Sequence, residues 1–209
     1  KVPTTYYETA VDRNGVPVHV RAEAAMSLDL KKQPDGSLTV QRRSAGGVWA
    51  GAPLVTLDAQ WQPTGEVRRT DGLVNTDPHD SIRYPDGRTI LLSYEYQTHE
   101  DGSRWMDAIA QEIDADGNEI FTWDSQEHVD IATESMMPKD HDYAHVNSVV
   151  VMEDGHWLLS FRHLSAVFKV ARFDDGEHQA GDVIWRLGGR KSDFAFPDDE
   201  HAGPCAQHT

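Results

Sequence analysis

Residues 145–161 have the sequence HVNSVVVMEDGHWLLSF, in which two apolar runs flank an Asp-Gly pair. The stretch HDSIRYPDGRTILLS over residues 79–93 has the same pattern. Two apolar runs joined by Asp-Gly are typical of a β-hairpin. The leading histidine precedes the serine of the second run by 15 residues in one stretch and by 14 in the other. The sequence therefore contains an internal repeat built from β-strands.

Each repeat unit continues through a second Asp-Gly turn to a tryptophan, Trp123 in the earlier unit and Trp185 in the later one. A weaker unit precedes them over residues 34–67. Helical periodicity is almost absent, and four short strands in about 40–50 residues are typical of a propeller blade. We therefore predict an all-β protein, a β-propeller whose chain carries three blades after an N-terminal strand pair. Strands are expected over residues 37–42, 89–96, 106–113, 119–124, 146–152, 156–162, 166–173 and 182–187.

The predicted blades fall into two regions, which differ in how well their sequences match the repeat. Residues 1–70 form an N-terminal blade region with weak repeat character, and residues 72–209 carry the well-defined units. Three blades are fewer than a closed propeller usually contains, so we expect the protein to continue beyond Thr209. Long segments at 125–144 and 190–204 interrupt the repeats, and segments of this length are usually functional or disordered.

Composition excludes several classes of protein. The 209 residues are 38% apolar, which is enough for a folded core. Asp and Glu number 35 against 19 Lys and Arg, so the net charge of −16 argues against nucleic acid and anionic membrane surfaces as partners. No apolar run approaches the roughly 20 residues that a membrane-spanning helix needs. A single cysteine, Cys205, excludes a disulfide within the chain.

The candidate site consists of histidines at equivalent places in the repeat. His79 and His145 each open a unit, and His208 follows at a similar phase. Because the innermost strand of a blade lines the central channel, these imidazoles are expected to converge there. Arg162 ends the second strand of the His145 unit, and a guanidinium among imidazoles would suit an anion. Alternatively, the histidines bond a neighbouring blade's backbone and Arg162 forms a structural ion pair.

Other motifs are given their ordinary interpretations. Residues 114–119 resemble a calcium loop but occur where every unit has its turn, which favours a turn. Residues 140–142 (Asp-His-Asp) favour a solvated loop over a metal site. Cys205 favours a structural thiol over a nucleophile. We predict a site without metal or cofactor.

Several segments together resemble the bacterial arylsulfate sulfotransferase family. They are PHDSI at 78–82, DYAHVNSV at 142–149, LLSFRHLSAV at 158–167, IWRLGG at 184–189 and QHT at 207–209. Their order and spacing match the family over residues 72–209, while residues 1–70 match only in general blade character.

The resemblance implies a six-bladed propeller that moves a sulfuryl group from an aryl sulfate to a phenol without a nucleotide donor. It implies that His208 is transiently sulfated and that Arg162 binds the sulfate. His79 and His145 would hold sulfate oxygens or handle the proton of the leaving phenol. Asn147 and His163, in the same motifs, are assigned to substrate binding. It also implies a periplasmic or secreted location.

Two alternatives remain open from the sequence. The same scaffold could bind a partner, without catalysis, through the segments 125–144 and 190–204. Water could also replace the phenol as acceptor, which would make the reaction a hydrolysis with the same site residues. Small aryl sulfates and phenols are the expected partners of the enzyme, and an oligomer is not excluded.

Overall fold

The computed structural model describes residues 5–23, 25–42, 52–137, 141–195 and 197. Within these residues it contains fourteen strands and two single-turn helices. The strands are β1 (Tyr6–Val11), β2 (Pro17–Glu23), β3 (Ser27–Lys32), β4 (Leu38–Arg42), β5 (Leu54–Leu57), β6 (Pro63–Val67), β7 (Thr76–Arg83), β8 (Thr89–Thr98), β9 (Arg104–Ile113), β10 (Glu119–Asp124), β11 (Val146–Val151), β12 (Trp157–Phe161), β13 (Ala166–Val170) and β14 (Val183–Gly188).

The strands form four antiparallel sheets in chain order. β1 and β2 form a hairpin, and three four-stranded sheets follow, β3–β6, β7–β10 and β11–β14. Each strand pairs with the next one along the chain, so every sheet is a simple meander. None of the four sheets closes on itself within the described part of the chain. The predicted all-β class, and the predicted strand pair followed by three units of four strands, are confirmed.

Asp-Gly turns set the register of the hairpins, as the turn between β11 and β12 illustrates. The N–H of Gly155 donates to the carbonyl of Met152 at 2.9 Å, and the N–H of Met152 donates to the carbonyl of His156 at 2.9 Å. Gly155 has a φ of 84°, a conformation that favours glycine because it has no Cβ. This turn fixes which face of each flanking strand enters the core.

The middle sheet is buried on both faces. All seven residues 89–95 of β8 are buried, so this strand lacks the polar alternation of a half-exposed strand. Leu92 packs in one apolar cluster with Trp157 of the third four-stranded sheet. Leu91, which points to the opposite face, packs with Leu54 of the first four-stranded sheet. The sheet β7–β10 therefore lies between its two neighbours.

The first strands of the three four-stranded sheets lie side by side, with β7 in contact with both β3 and β11. One carboxylate joins them: Asp80 of β7 accepts a hydrogen bond from the N–H of Val149 at 2.8 Å and pairs with the Lys31 ammonium. This contact joins β7 to β11 at the residue that follows His79, one of the histidines of the candidate site.

The long segment before β11 contains a 3₁₀ turn at Ser125–Glu127 and a short helix, α1, at Ile131–Glu134. Asp130 caps that helix, because its carboxylate accepts from the N–H of Ala132 at 3.0 Å. Among the described residues, no helix is long and apolar enough to cross a membrane. Most of the second long segment, 198–204 included, lies outside the described residues.

Candidate active site

The site is built from three elements that meet at the start of β11. His145 immediately precedes β11, and the β12–β13 hairpin that follows carries Arg162 and His163. The hairpin is held in place by its backbone: the N–H of Arg162 donates to the carbonyl of His145 at 2.9 Å, and the N–H of His163 donates to that of Ala144 at 3.0 Å. The third element is β7, which brings His79.

A wide bulge delivers His79 to the site. β7 pairs with β8 at Thr76 and again at Ser81, but these positions face Ser93 and Leu91, so residues 77–80 are left out of the ladder. His79 therefore lies inside β7, whereas the sequence placed it just before the first strand of its unit. Bulges redirect side chains in this way, often beside active sites.

Three imidazole rings form a compact cluster. The ring of His145 stacks on that of His163, with centroids 4.6 Å apart and planes 28° from parallel. The ring of His79 meets His145 edge-on at 5.2 Å. The phenol of Tyr94 covers another side of His145 at 5.3 Å and donates its own hydrogen bond to the carbonyl of Val146. The structure thus places His79, His145 and His163 around one point.

The backbone at this point is unusual for L-residues. His145 has a φ of 57°, His141 a φ of 67° and Ser165, in the facing hairpin, a φ of 51°. Non-glycine residues seldom occupy this region, and surrounding contacts must hold them there. At His145 those contacts include the hydrogen bond from Arg162 and the ring stacking described above.

Each imidazole is anchored through the same ring atom. Nδ1 of His79 lies 2.7 Å from a carboxylate oxygen of Asp77, and Nδ1 of His145 lies 2.5 Å from one of Asp142. Nδ1 of His163 lies 2.7 Å from the backbone carbonyl oxygen of Asp142. Hydrogen bonding at Nδ1 selects Nε2 as the ring atom for chemistry, because it fixes the tautomer and the orientation of the ring. Nε2 of His145 and Nε2 of His163 make no hydrogen bond to another described residue.

The surroundings move the pKa values of two imidazoles in opposite directions. Burial opposes protonation of His79, but the hydrogen bond and charge of Asp77 outweigh it and raise its pKa above the ordinary value of 6.5. Burial lowers the pKa of His163, and the oxygens of Asp142 only partly offset this effect. Burial also raises the pKa of Asp77, although the hydrogen bonds from His79 oppose that shift. Near neutral pH the cluster can therefore hold a proton on His79 beside a neutral His163.

Arg162 supplies a positive charge beside the cluster. Its side chain is exposed and makes no hydrogen bond or ion pair with any other described residue. Its charge opposes protonation of both His79 and His163, which shows that it lies within electrostatic range of both rings. An arginine that has no carboxylate partner in the described part of the chain can bind an anion directly.

Asn147 lies two residues after His145 on β11. The residue is only 5% exposed, and its Nδ2 has no hydrogen-bond partner in the described part of the chain. A buried amide donor without a partner is costly, and an oxygen of a bound anion would satisfy it. Of the sequence-predicted site residues, the structure thus brings together His79, His145 and His163, with Arg162 in electrostatic range of two of these rings, and it places Asn147 two residues after His145 on β11. His208 and Cys205 lie outside the described residues, and the predictions for them stay predictions.

Sequence reasoning missed the two carboxylates. Asp77 is fully buried, and Asp142, whose side chain is 14% exposed, is not part of a solvated loop as the sequence suggested. The signal was present, because an aspartate stands two residues before His79 and three before His145. Neither spacing by itself predicts an Asp–His contact, because the contacts depend on the bulge in β7 and on the positive φ of His145.

Asp142, His145 and His163 are also the one group of described residues whose geometry could hold a metal ion. Each offers one ligand atom, and these atoms lie within 4.8 Å of one another. Two imidazoles and a carboxylate are a donor set that Zn²⁺ accepts. The prediction of a metal-free site stays a prediction, and chelation belongs among the controls of any assay.

Comparison with known proteins bears on the identity of the chain. It is similar to a solved structure of a protein of unknown function from Bacteroides caccae, at 10% identity and a TM-score of 0.46, over 87% of this chain and 54% of that one. The chain thus spans about half the length of that protein. No curated protein matches the chain. The family model described as Arylsulfotransferase (ASST) matches residues 2–198, which confirms the resemblance found in the motifs. Because this match covers far more than half of the 209 residues, the chain belongs to the arylsulfotransferase family.

Proposed function

We propose that the protein transfers a sulfuryl group from an aryl sulfate to a phenol, without a nucleotide donor, through a sulfo-histidine. The observation that carries the proposal is the cluster of three imidazoles, each anchored at Nδ1, beside the guanidinium of Arg162, which has no ion-pair partner among the described residues. This arrangement offers what such a transfer needs: positive charge for the sulfuryl oxygens, a proton for the leaving phenolate, and imidazole nitrogens that can act as base or nucleophile.

In the first half-reaction an imidazole nitrogen of His208 attacks the sulfur, and the bond between sulfur and the aryl oxygen breaks. The electron pair leaves with the aryl oxygen, which takes a proton from His79. The raised pKa of His79 supports this role, because it keeps the imidazole protonated closer to neutral pH. Arg162 and Asn147 hold the sulfuryl oxygens as their charge develops.

In the second half-reaction a phenol occupies the place of the first product. His79, now neutral, takes the proton of the phenolic hydroxyl, the phenolic oxygen attacks sulfur, and the S–N bond to His208 breaks. Every proton and electron pair is returned, so the protein ends unchanged. Two half-reactions through one covalent intermediate predict ping-pong kinetics.

We also propose that the sheets are blades of a six-bladed ring, with the candidate site in its channel. The lateral contact of β3, β7 and β11 supports this arrangement, since first strands line the channel of a propeller. The sulfotransferase role brings with it a periplasmic or secreted location, as the resemblance implies. Both statements concern the whole protein and are tested by a full-length structure and by cell fractionation.

The decisive experiment follows nitrophenolate release from p-nitrophenyl sulfate with and without phenol. The longest natural chain that contains these residues is used, in buffer with EDTA. The proposal expects release that depends on phenol, with parallel double-reciprocal plots. Nitrophenolate release at the same rate with and without phenol would indicate hydrolysis. No release from a folded protein would contradict the proposal and favour the alternative function, in which the scaffold binds a partner without catalysis.

Variants then assign the residues. His208→Ala is expected to abolish turnover and the acid-labile labelling of the protein by a ³⁵S-labelled aryl sulfate, and Arg162→Gln to weaken binding of the donor. His178→Ala is the matched control, because His178 lies in the loop between β13 and β14, away from the cluster. A labelled His208→Ala protein would show that another histidine is the nucleophile.

A further inference from the structure

A recess next to the imidazole cluster is not used by the mechanism above. Tyr96, Arg104 and His141 line it, and its volume is about 300 Å³. Tyr96 is 46% exposed as a residue, and the guanidinium of Arg104 lies 5.1 Å from the centroid of its ring. The imidazole of His141 packs against Trp105 at 5.5 Å.

Strand pairing puts this recess on the same face as the catalytic cluster. Tyr96 of β8 stands opposite Met106 of β9, and Met106 in turn forms a parallel bridge with Asp142. Residues opposite one another in a sheet project from the same face. The side chain of Tyr96 is therefore on the face from which Asp142 reaches His145.

The same strand connects the recess to the cluster a second way. Tyr94, whose ring lies 5.3 Å from that of His145, is two residues before Tyr96 on β8. Two residues advance a strand by about 6.6 Å and return to the same face. The recess thus begins one side-chain position beyond the ring that covers His145.

The charge at the recess is unusual for this protein. Arg104 forms no ion pair with any carboxylate in the described residues, although acidic residues outnumber basic ones by 35 to 19. A planar guanidinium above an exposed aromatic ring can accept a carboxylate at its edge while the ring packs against a second aromatic group. The three side chains therefore present an aromatic surface with one positive end.

We propose that this recess binds the aromatic ring of the substrate and that Arg104 selects rings with a second anionic group, such as a carboxylate. The inference rests on the proposed function for its link to turnover, but the binding it requires is measurable without any reaction. The sulfuryl end of such a donor lies toward His145 and its carboxylate toward Arg104.

The test compares two phenols by isothermal titration calorimetry, 4-hydroxybenzoate and its neutral methyl ester. The protein is expected to bind the carboxylate more tightly. Arg104→Gln is expected to raise the Kd of 4-hydroxybenzoate about tenfold, which corresponds to about 1.4 kcal/mol, and to leave the Kd of the ester unchanged. Tyr96→Ala is expected to weaken both ligands. Arg13→Gln is the matched control, because Arg13 is an exposed arginine in the β1–β2 turn.

The outcomes separate this inference from the proposed function. Equal Kd values for 4-hydroxybenzoate in the unaltered protein and in Arg104→Gln would contradict the proposed role of the recess, whether or not the protein turns over aryl sulfates. If binding depends on the charge of Arg104 but no turnover of aryl sulfates is found, the binding role of the recess is supported and the proposed sulfuryl transfer is contradicted. With both intact, kcat/KM for 4-sulfooxybenzoate falls about tenfold in Arg104→Gln while that for its methyl ester is retained.

Discussion

The most informative single change is Asp142→Asn, because Asp142 positions two of the three imidazoles. Its carboxylate lies 2.5 Å from Nδ1 of His145, and its backbone carbonyl lies 2.7 Å from Nδ1 of His163. Asparagine keeps the shape and the backbone carbonyl but removes the negative charge. The substitution therefore removes the charge that acts on the three imidazoles and leaves the backbone contact with His163 in place.

The magnitude follows from the geometry. The carboxylate is only 14% exposed, so water screens its interaction with His145 weakly. A hydrogen bond to a charged group contributes about 1.5–3 kcal/mol. If this energy supports the imidazole in the transition state, its loss lowers kcat/KM for p-nitrophenyl sulfate about 10- to 150-fold. The charge of Asp142 also favours protonated His79, so the alkaline limb of the pH–rate profile is expected to move to lower pH.

The assay is initial nitrophenolate release with saturating phenol across a pH series. Circular dichroism and the urea midpoint of each variant establish that the fold is retained. Asp116→Asn, an exposed change in the β9–β10 turn, removes the same charge at a distance and serves as the control. A kcat/KM for Asp142→Asn within twofold of the control, with an unmoved pH profile, would refute the positioning role of this carboxylate.

The remaining predictions concern stability, each followed by urea unfolding. Because the pKa of His79 is raised in the folded protein, its contribution to stability is complete below pH 6.5 and is lost as the pH rises through the folded pKa. The difference in the free energy of unfolding between the unaltered protein and His79→Gln should therefore shrink over that pH range. Gly189→Ala should cost about 1–3 kcal/mol, because φ is 67° there and a Cβ would lie 2.6 Å from the carbonyl oxygen of Leu164; a neutral result would contradict the close approach. Trp157→Ala should cost about 3–5 kcal/mol, because its side chain is buried in the main core, whereas Val150→Ala, half-exposed on β11, should cost far less; similar losses would mean that the core is placed wrongly.

Most of the fold was predictable from the sequence because its signals are local. An Asp-Gly pair determines the turn in five of the hairpins, β3–β4, β7–β8, β8–β9, β9–β10 and β11–β12, and each turn determines the register of the strands beside it. The repeat then gives the number of sheets, since two units of about 40 residues with the same landmarks must fold alike. The observed strand ends differ from the predicted ones by a few residues; β8, for example, is predicted to end at residue 96 and extends to Thr98. Such ends depend on packing between sheets, which no local pattern records.

The site was predictable only in part, for the same reason. His79 and His145 stand out because the repeat places them at equivalent positions. The partners of these histidines do not repeat: Asp77 reaches His79 through a bulge, and Asp142 reaches His145 through a residue with positive φ. These backbone irregularities arise from contacts between sheets, so they cannot be predicted from the sequence around each aspartate.

The two carboxylates also bear on how an acidic protein could hold the anionic substrate that we propose. Asp77 and Asp142 direct their oxygens at Nδ1 atoms inside the cluster, and the charge of both raises the pKa of His79. Arg162 stands on the exposed side, and the Nε2 atoms of His145 and His163 make no bond to another described side chain. The negative charge of these two carboxylates is therefore directed toward the histidines, while Arg162 and the two Nε2 atoms remain available to a ligand. The proposed sulfate ester would therefore meet hydrogen-bond donors at this face, although the net charge of the chain is −16.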